Sequence, residues 1–498
     1  MALSTAFPSS RVASGLAIKT DYSAPVLNEP LGRPVNIFVI GVAESSKTVT
    51  SEPVQMTTLA AAADHVGYRS TIYEALNALK PAFGDGVGSL PITYFPLAVT
   101  TGGAATGDIT PSGTCTSTQI YRVKINNKVS QDITMLATET VADFTAKATA
   151  AINGILDMPM SAADGTTTVD LTAGFYTDAG DHLYVEIESP SDADMTFVIT
   201  QPNSGSGTVD YATAWNVFND TWYSHVLFAQ GDATNSTFLD SADTFGEARW
   251  AAEVYKPFKC YTGSNESTAA TIRAITAARK NDRTNSIKWV PGGNDLPWVI
   301  AGRMLAVMLP IAASDPAMDY CNRRVTGLKA GSASVSPDSG ARDLAVKDGL
   351  STVIVDPPTA ANTNGTVYIE DSVMCYHPDG ETPPGYRWDV DLEKENAMIF
   401  NLAIIFAEYG NPLVPDGQAV TNKNARKPSF YKRRVFKLYD GAANEAWIAD
   451  TDYAKENTLL VISGSNPRRL DASCVYKLAG NLGVRSVDNN FSLYVGGN

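Results

Sequence analysis

The sequence has few of the residues that organise chemistry. Four histidines (His65, His182, His225, His377) are scattered over 498 residues. None sits in an HExxH pattern or beside a cysteine at metal-ligand spacing, which argues against a zinc or metalloprotease centre. Five cysteines (Cys115, Cys260, Cys321, Cys375, Cys474) are widely separated, form no CxxC pair and are odd in number. That usage is unlike a disulfide framework and predicts reduced thiols in a chain made in cytosol. No basic-then-apolar run opens the chain, and no stretch approaches the ~18 apolar residues of a membrane span, so neither export on its own nor membrane insertion is expected. Positive charge is in deficit too. With 53 Asp and Glu against 38 Lys and Arg, the net charge of −15 argues against general nucleic-acid binding.

The glycine-rich and acidic patterns that remain lead to no catalytic site. Gly84-Asp-Gly-Val-Gly88 has the glycine density of a phosphate loop, but it follows a predicted helix and lacks the Gly-Lys-Ser/Thr ending that holds phosphate and metal. Gly205-Ser-Gly207 cannot form a nucleophile elbow and reads as a linker. Glu186 and Glu188 share one exposed strand face, without the aromatics and pKa-raising surroundings of a glycosidase pair. No catalytic, cofactor-binding or metal-binding residue is therefore predicted, and the chain is read as a non-enzyme.

What is present is material for folding. With 44% hydrophobic residues, a chain of this length can stabilise two to four packed units, and its Thr, Ala, Ser and Gly content favours β-rich modules with many turns. The expected fold is a mixed α/β, α+β multidomain architecture. Residues 1–34 read as an N-terminal arm, with Pro8, Pro25, Pro30 and Pro34 around one short strand-like run, Leu16-Ala17-Ile18. A discontinuous core is expected over 35–100 and 212–390. It begins with the apolar strand Asn36 to Gly41 and a helix from Thr71 to Pro81, where Thr71 and Glu74 could form a capping box and Ile72, Leu76 and Leu79 share a face.

Residues 101–211 read as an inserted β-rich module. Tyr121, Val123 and Ile125 alternate with Arg122 and Lys124, and Leu183, Val185 and Ile187 repeat the pattern. Turn signals stand at Asn126-Asn127 and Asp164-Gly165, and one amphipathic helix carries Val141, Phe144, Ala148, Ile152 and Ile155. The module holds 14 Asp and Glu against 4 Lys and Arg, which suits a solvated, outer position. Beyond it come a buried strand at 222–230 and helices at 266–280, 298–309 and 395–409. A C-terminal domain over 391–486 and a terminal strand over 487–498 (Phe491, Leu493, Tyr494, Val495) complete the chain; a lone strand needs a partner edge.

One electrostatic feature stands out. From Lys423 to Lys437 there are seven basic residues and no acid, among them Lys423, Arg426, Lys427, Lys432, Arg433 and Arg434, with Phe430 and Tyr431 interleaved. In so acidic a chain, this patch suits a protein partner with acidic surface.

Several segments resemble the contractile tail sheath proteins of the phage Mu type. Asn36 to Ala43 (NIFVIGVA) with the Thr71 helix is similar to the family's first core strand and helix. Segment 102–175, with Tyr121-Arg-Val-Lys-Ile-Asn, Met158-Pro-Met and Val169-Asp-Leu-Thr-Ala, resembles its inserted domain. Asp315-Pro-Ala317 with Val325-Thr-Gly-Leu328, Asp348-Gly-Leu-Ser-Thr352, Gly365-Thr-Val-Tyr-Ile-Glu370 and Tyr386-Arg387-Trp388 resemble its later core, and Phe491-Ser-Leu-Tyr-Val495 its closing strand.

The resemblance implies a structural virion protein of a bacteriophage tail, assembled in the host bacterial cytoplasm. It implies a homo-oligomer of hexameric rings stacked helically around a tail tube protein, capped by baseplate and tail terminator, whose contraction serves host genome ejection. It further implies strand pairing between subunits through Leu16, Ala17, Ile18, Phe491, Leu493, Tyr494 and Val495, a tube-proximal 391–486 and a tube-facing basic patch. The alternatives are a sheath of a non-phage contractile injection system, another tail structural protein, or an adhesive or polysaccharide-degrading protein with a β insertion.

Overall fold

A computed structural model describes residues 35–219, 221–251, 254–379, 388–408, 410–466 and 468–482. The strand-pairing residues expected near both termini (Leu16, Ala17, Ile18, Phe491, Leu493, Tyr494, Val495) lie outside the described residues, as do Tyr386 and Arg387. The described chain forms two compact units, one over 35–396 with 480–482 and one over 397–479. Both α and β elements and several sheets are present, a mixed α+β fold.

The larger unit opens on β1 (Ile37–Val42), buried at every position. Such a run belongs in the middle of a parallel sheet, covered on both faces. After β2 (Val54–Gln55), α1 (Leu59–Val66) and α2 (Thr71–Leu79) lead to β3 (Ile92–Leu97), which lies parallel beside β1. Ile72, Leu76 and Leu79 are all buried, but the expected capping box is not formed. Ser70, in extended backbone, is the cap and accepts from Tyr73 N. The Thr71 hydroxyl instead accepts from Val42 N at 3.0 Å, tying the helix to the end of β1, and Glu74 is buried and accepts from Trp298 Nε1 at 2.8 Å.

The next stretch leaves this sheet. The long strand β4 (Val99–Ser112) is followed by β5 (Gln119–Ile125), β6 (Lys128–Val129), β7 (Ile133–Met135), α3 (Val141–Asn153), β8 (Met160–Asp164), β9 (Val169–Tyr176), a 3-10 turn (Asp178–His182), β10 (Val185–Glu188), β11 (Thr196–Asn203) and β12 (Ser206–Val209). They form two antiparallel sheets, one in the order β11-β4-β9-β8 with β12 also on β4, the other built around β5. The inward residues of β5 pack under α3, where Tyr121, Phe144 and Phe197 meet with ring centroids 4.9–5.9 Å apart. Alternation along β5 matches the expected faces, and the 126–127 and 164–165 turns connect β5 to β6 and β8 to β9. α3 ends at Asn153, so Ile155 lies just past it.

The chain then returns to the first sheet through α4 (Ala212–Trp215), β13 (His225–Ala229), α5 (Ser236–Trp250), β14 (Lys259–Ser264), α6 (Ala269–Ala277) and β15 (Asn285–Trp289). The sheet order is β15-β14-β13-β1-β3-β2, five parallel strands with antiparallel β2 at one edge. In chain order the parallel strands run 5-4-3-1-2, a doubly wound sheet that reverses direction between β1 and β13. β13 and α6 are shorter than the sequence suggests. Trp222 turns aside to donate to Pro257 O, and the Glu266 carboxylate accepts from Thr268 N, closing the chain before the helix begins.

α7 (Pro297–Ser314) begins with proline in the first turn and runs past the expected end at Leu309, because Pro310 sits in the last turn and removes only one backbone bond. Among the described residues it is the one helix long and apolar enough to cross a membrane, but it packs on α2 and on β13, β14 and β15 and contains Arg303, so it is a core helix here. A Cβ on Gly263 of β14 would stand 1.8 Å from Pro297 O, so glycine is required for this close approach. The unit closes with β16 (Arg324–Val325), α8 (Ser339–Lys347), β17 (Thr352–Asp356), β18 (Thr366–Asp371) and the first turns of α9 (Asp389–Ile405). α9 starts six residues before the expected Glu395.

In the smaller unit, α10 (Pro428–Asn444) buries Tyr431, Val435, Leu438, Tyr439 and Ala442 along one face. β19 (Ile448–Ala449), α11 (Thr451–Glu456), β20 (Leu459–Ile462), β21 (Leu470–Ser473) and β22 (Lys477–Leu478) follow; β20 and β21 form a short hairpin, and β19 pairs antiparallel with β22 across it in sequence.

Glu74 gives the larger unit a measurable pH signature. Burial pushes its carboxyl up from 4.5 to about 7, against the lowering effect of the Trp298 hydrogen bond. Below about 4.5 the group is neutral in both folded and unfolded chains. Between about 4.5 and 7 the unfolded chain alone ionises, so stability falls as pH rises, and the loss is complete above about 7. Asp295 (burial) and Asp243 (burial, with Asp282 alongside), both also raised to about 7, act in the same direction. Glu74→Gln, which keeps the acceptor for Trp298, should flatten this decline and raise stability at pH 8 by on the order of 3 kcal/mol, read as melting temperature against pH.

Candidate functional site

Three features have the geometry of functional parts. The first is the basic run, which the structure splits by role. Arg426 and Arg434, the latter on α10, both reach Glu408, at 2.7 and 3.0 Å. Both guanidinium groups also lie over the Phe430 ring, 4.8 and 4.7 Å from its centroid. Glu408 is held below the usual carboxylate range first by the Arg426 hydrogen bond and then by the nearby guanidinium charges. Lys427 donates to the carbonyls of Asp416 and Gln418, and Lys432 lies over Phe436 at 5.3 Å. Lys423 and Arg433 are exposed. Half of the patch therefore braces the start of α10, and Lys423 and Arg433 carry its charge to solvent. The sequence did not announce Glu408 as their common partner, since 18 and 26 residues separate it from the two arginines.

The second feature is a sealed ion network beneath α9. Lys288 Nζ lies 2.6 Å from Asp389 Oδ2 and 3.2 Å from Ser351 Oγ, and Ser372 bonds both Lys288 and Asp389. Lys259 bonds Glu393 and stands 3.6 Å from Asp389 Oδ1. His225 Nε2 lies 2.8 Å from Glu393 Oε1 and its Nδ1 2.9 Å from Ser224 Oγ. The ring of Tyr261 lies beneath both ammonium groups.

All five ionisable side chains are 0–2% exposed. Burial would raise Asp389, but Lys288 and Lys259 outweigh it and hold the carboxyl at about 2. Burial pulls Lys288 below its usual value against the opposing charge of Asp389. Two lysines and two acids cancel, which makes such burial tolerable. His225 and Lys259 open their strands whereas Lys288 stands fourth of five in β15, so the network is not confined to the carboxyl ends of the strands, where doubly wound sheets take ligands. No substrate reaches these side chains in this conformation; the cluster is a clamp. Sequence reasoning read His225 as bland and passed over both lysines, whose short strands KCYTGS and NSIKW lack an apolar run.

At the carboxyl end of β13, where ligands are expected in such sheets, there is a cleft of about 350 Å³ lined in part by Asp178, His182, Tyr211, Gln230, Asp232 and Asn235. Part of its polar lining is paired internally: the Tyr211 hydroxyl pairs with Gln230 and Asn235, and Asp232 with Thr234. The third feature is the β20–β21 hairpin, with Leu460 buried toward α10 and Leu459 and Val461 exposed on the other face. Among the described residues neither outer edge of this hairpin has a strand partner.

No family model matches the chain, and no curated protein matches it. Among solved structures, the chain is similar to a sheath tail protein from Desulfitobacterium hafniense, at 12% sequence identity and a TM-score of 0.44, over 93% of this chain and 100% of that one.

If the clamp fixes α9 through balanced charge, breaking the balance should hurt more than removing the pair. Asp389→Asn or Lys288→Met alone should destabilise the larger unit by about 3–5 kcal/mol, because each leaves a buried charge without its partner. The double variant Lys288→Met/Asp389→Leu, which leaves Lys259 and Glu393 matched, should recover most of that loss. Chemical denaturation of the three variants measures it, and strict additivity would remove the network from the account.

Proposed function

We propose that the chain is the structural subunit of a contractile tail sheath, polymerising around a tail tube and contracting to drive the tube through the host envelope. The observation that carries this reading is the β20–β21 hairpin. Two four-residue strands are marginal alone, and this pair leaves both outer backbone edges open among the described residues. Such an edge invites strand addition. In sequence the strand-like runs Leu16-Ala17-Ile18 and Phe491 to Val495 are the candidate donors, and the dispersed resemblance to Mu-type sheath proteins supports this use at Phe491 to Val495. A donated strand of about five residues gains several backbone hydrogen bonds, each worth roughly 1 kcal/mol net. Donation to a neighbour is head-to-tail and propagates as a helical polymer.

In this reading, stacked hexameric rings enclose the tube protein and end at baseplate and terminator. Lys423, Arg426, Lys427, Lys432, Arg433 and Arg434 face the tube, and residues 101–211 face outward in solvent. Contraction exchanges one packing of rigid cores for another while the donated strands keep neighbours linked. The subunit acts by assembly, without catalysis.

Electron microscopy of the expressed chain is the test. Hollow polymers should form, and deletion of residues 488–498 should abolish them while leaving the melting profile of the folded units in place. Polymers assembling normally from the truncated chain would overturn the strand-exchange mechanism, and a full-length chain that stays monodisperse at high concentration would overturn the sheath assignment.

A further inference from the structure

The loop after α2 holds an aromatic ring out in solvent. Phe83 is 91% exposed, although phenylalanine is among the side chains most often buried, and the loop is tied on both sides of it. Val87 is buried and its N–H donates to Leu79 O at 3.0 Å. Asp85 N donates to Thr326 Oγ1 at 3.2 Å, and the Thr326 hydroxyl donates to the Asp85 carboxylate at 2.9 Å. Gly84, at φ +90°, takes a backbone conformation that a side chain would strain, and a Cβ there would stand 2.7 Å from Thr326 Oγ1. This is the Gly84–Gly88 segment that resembles a phosphate loop in composition; in the fold it is a mount for Phe83. Holding the ring in one place removes much of the ordering cost a flexible side chain meets on binding.

The same unit carries a recess that fits such a ring. Between β2, the edge strand of the main sheet, and α1 lies a cavity of about 240 Å³, walled by Val54, Met56, Ala61, Ala62, His65 and Tyr94. An apolar cavity of about 150 Å³ accepts benzene. Ala61 and Ala62 leave room where larger residues would fill it, and the Met56 thioether adapts to an aromatic edge. The exposed Gln55 and Thr57 complete the lining, and His65 Nδ1 and the Tyr94 hydroxyl are paired, 3.0 Å apart. Entry of a ring therefore strands neither group.

We propose that Phe83 of one copy inserts into the Val54–Met56–Tyr94 recess of the next copy. Knob and socket are different patches of one chain, so the contact is head-to-tail and adds a core-to-core link to the polymer. It rests on the polymer reading above, deepens it by naming a contact between the folded cores themselves, and needs neither terminal segment.

The test uses two full-length chains in which the part-exposed cysteines carry Cys321→Ser and Cys474→Ser, one bearing Phe83→Cys and the other Ala61→Cys. Mild oxidation of the mixture should give the crosslinked pair at least about tenfold above a mixture of Phe83→Cys with Ser191→Cys, an exposed position elsewhere. In chains with native cysteines, Phe83→Ala, which removes an exposed ring and leaves the core intact, and Ala61→Trp, which fills the recess, should each raise the concentration needed for assembly by about tenfold or more. Normal polymers from Phe83→Ala with no selective crosslink would overturn the contact and leave the sheath reading standing. A selective crosslink from chains that never form polymers would support the contact and overturn that reading. Crosslinks of Phe83→Cys mapping outside the recess, or neither crosslink nor polymer, would overturn the contact.

Discussion

The architecture of the larger unit depends on charge buried where the sequence offers no reason to expect it. Lys259 rises from β14 and Lys288 from the edge strand β15, and Asp389 and Glu393 descend from the first turns of α9 to meet them. An ammonium group sealed in protein costs several kcal/mol unless a counter-charge and hydrogen bonds lie within reach. The sheet can therefore form as it does only if α9 docks in one rotation and one register. A hydrophobic contact would tolerate a slide of one turn along the helix. This one does not, since a shift would part Asp389 from Lys288 and Ser372 together. Directionality, more than strength, is what the network adds.

The same network explains which parts of the fold could be read from the chain. β1, the face of α2, the alternation of β5 and the stripe of α3 all announce themselves through apolar spacing, because there an apolar face meets an apolar face. Strands β14 and β15 do not. Lys259-Cys-Tyr-Thr-Gly-Ser264 and Asn285-Ser-Ile-Lys-Trp289 are wholly buried, yet half or more of their residues are polar, and the side-chain partners of the two lysines lie in segments more than sixty residues away. The early start of α9 was hidden for the same reason, since Asp389 and Glu393 look like a solvated helix entry. At the surface, the basic run was legible as a count of charges. That Arg426 and Arg434 converge on Glu408 across Phe430 is a fact of folding that no count contains.

Rigid and yielding parts are separated along the chain. The clamp beneath α9, the close approach of Pro297 to Gly263 and the aromatic cluster of Trp215, Phe218, Phe245 and Phe258 make the main sheet a body that should move as one piece. The β20–β21 hairpin is the opposite: four residues a strand, exposed apolar side chains on one face, and outer edges without a strand partner among the described residues. Elements of low local stability are where exchange of partners happens most readily. In the proposed sheath both kinds of part have a use, because a core that yielded would absorb the motion and an interface that did not would forbid it.

The charge distribution follows the same logic. Residues 101–211 carry ten more acids than bases, and many of those acids stand on strand faces such as Glu186 and Glu188 that point into solvent or toward single lysines and arginines. The start of α10 is basic, but three of its charges are already engaged by Glu408 and by carbonyls. Glu408 cancels only one of the seven positive charges, so the patch keeps most of its charge, and any pull it exerts on an acidic surface weakens as salt screens it.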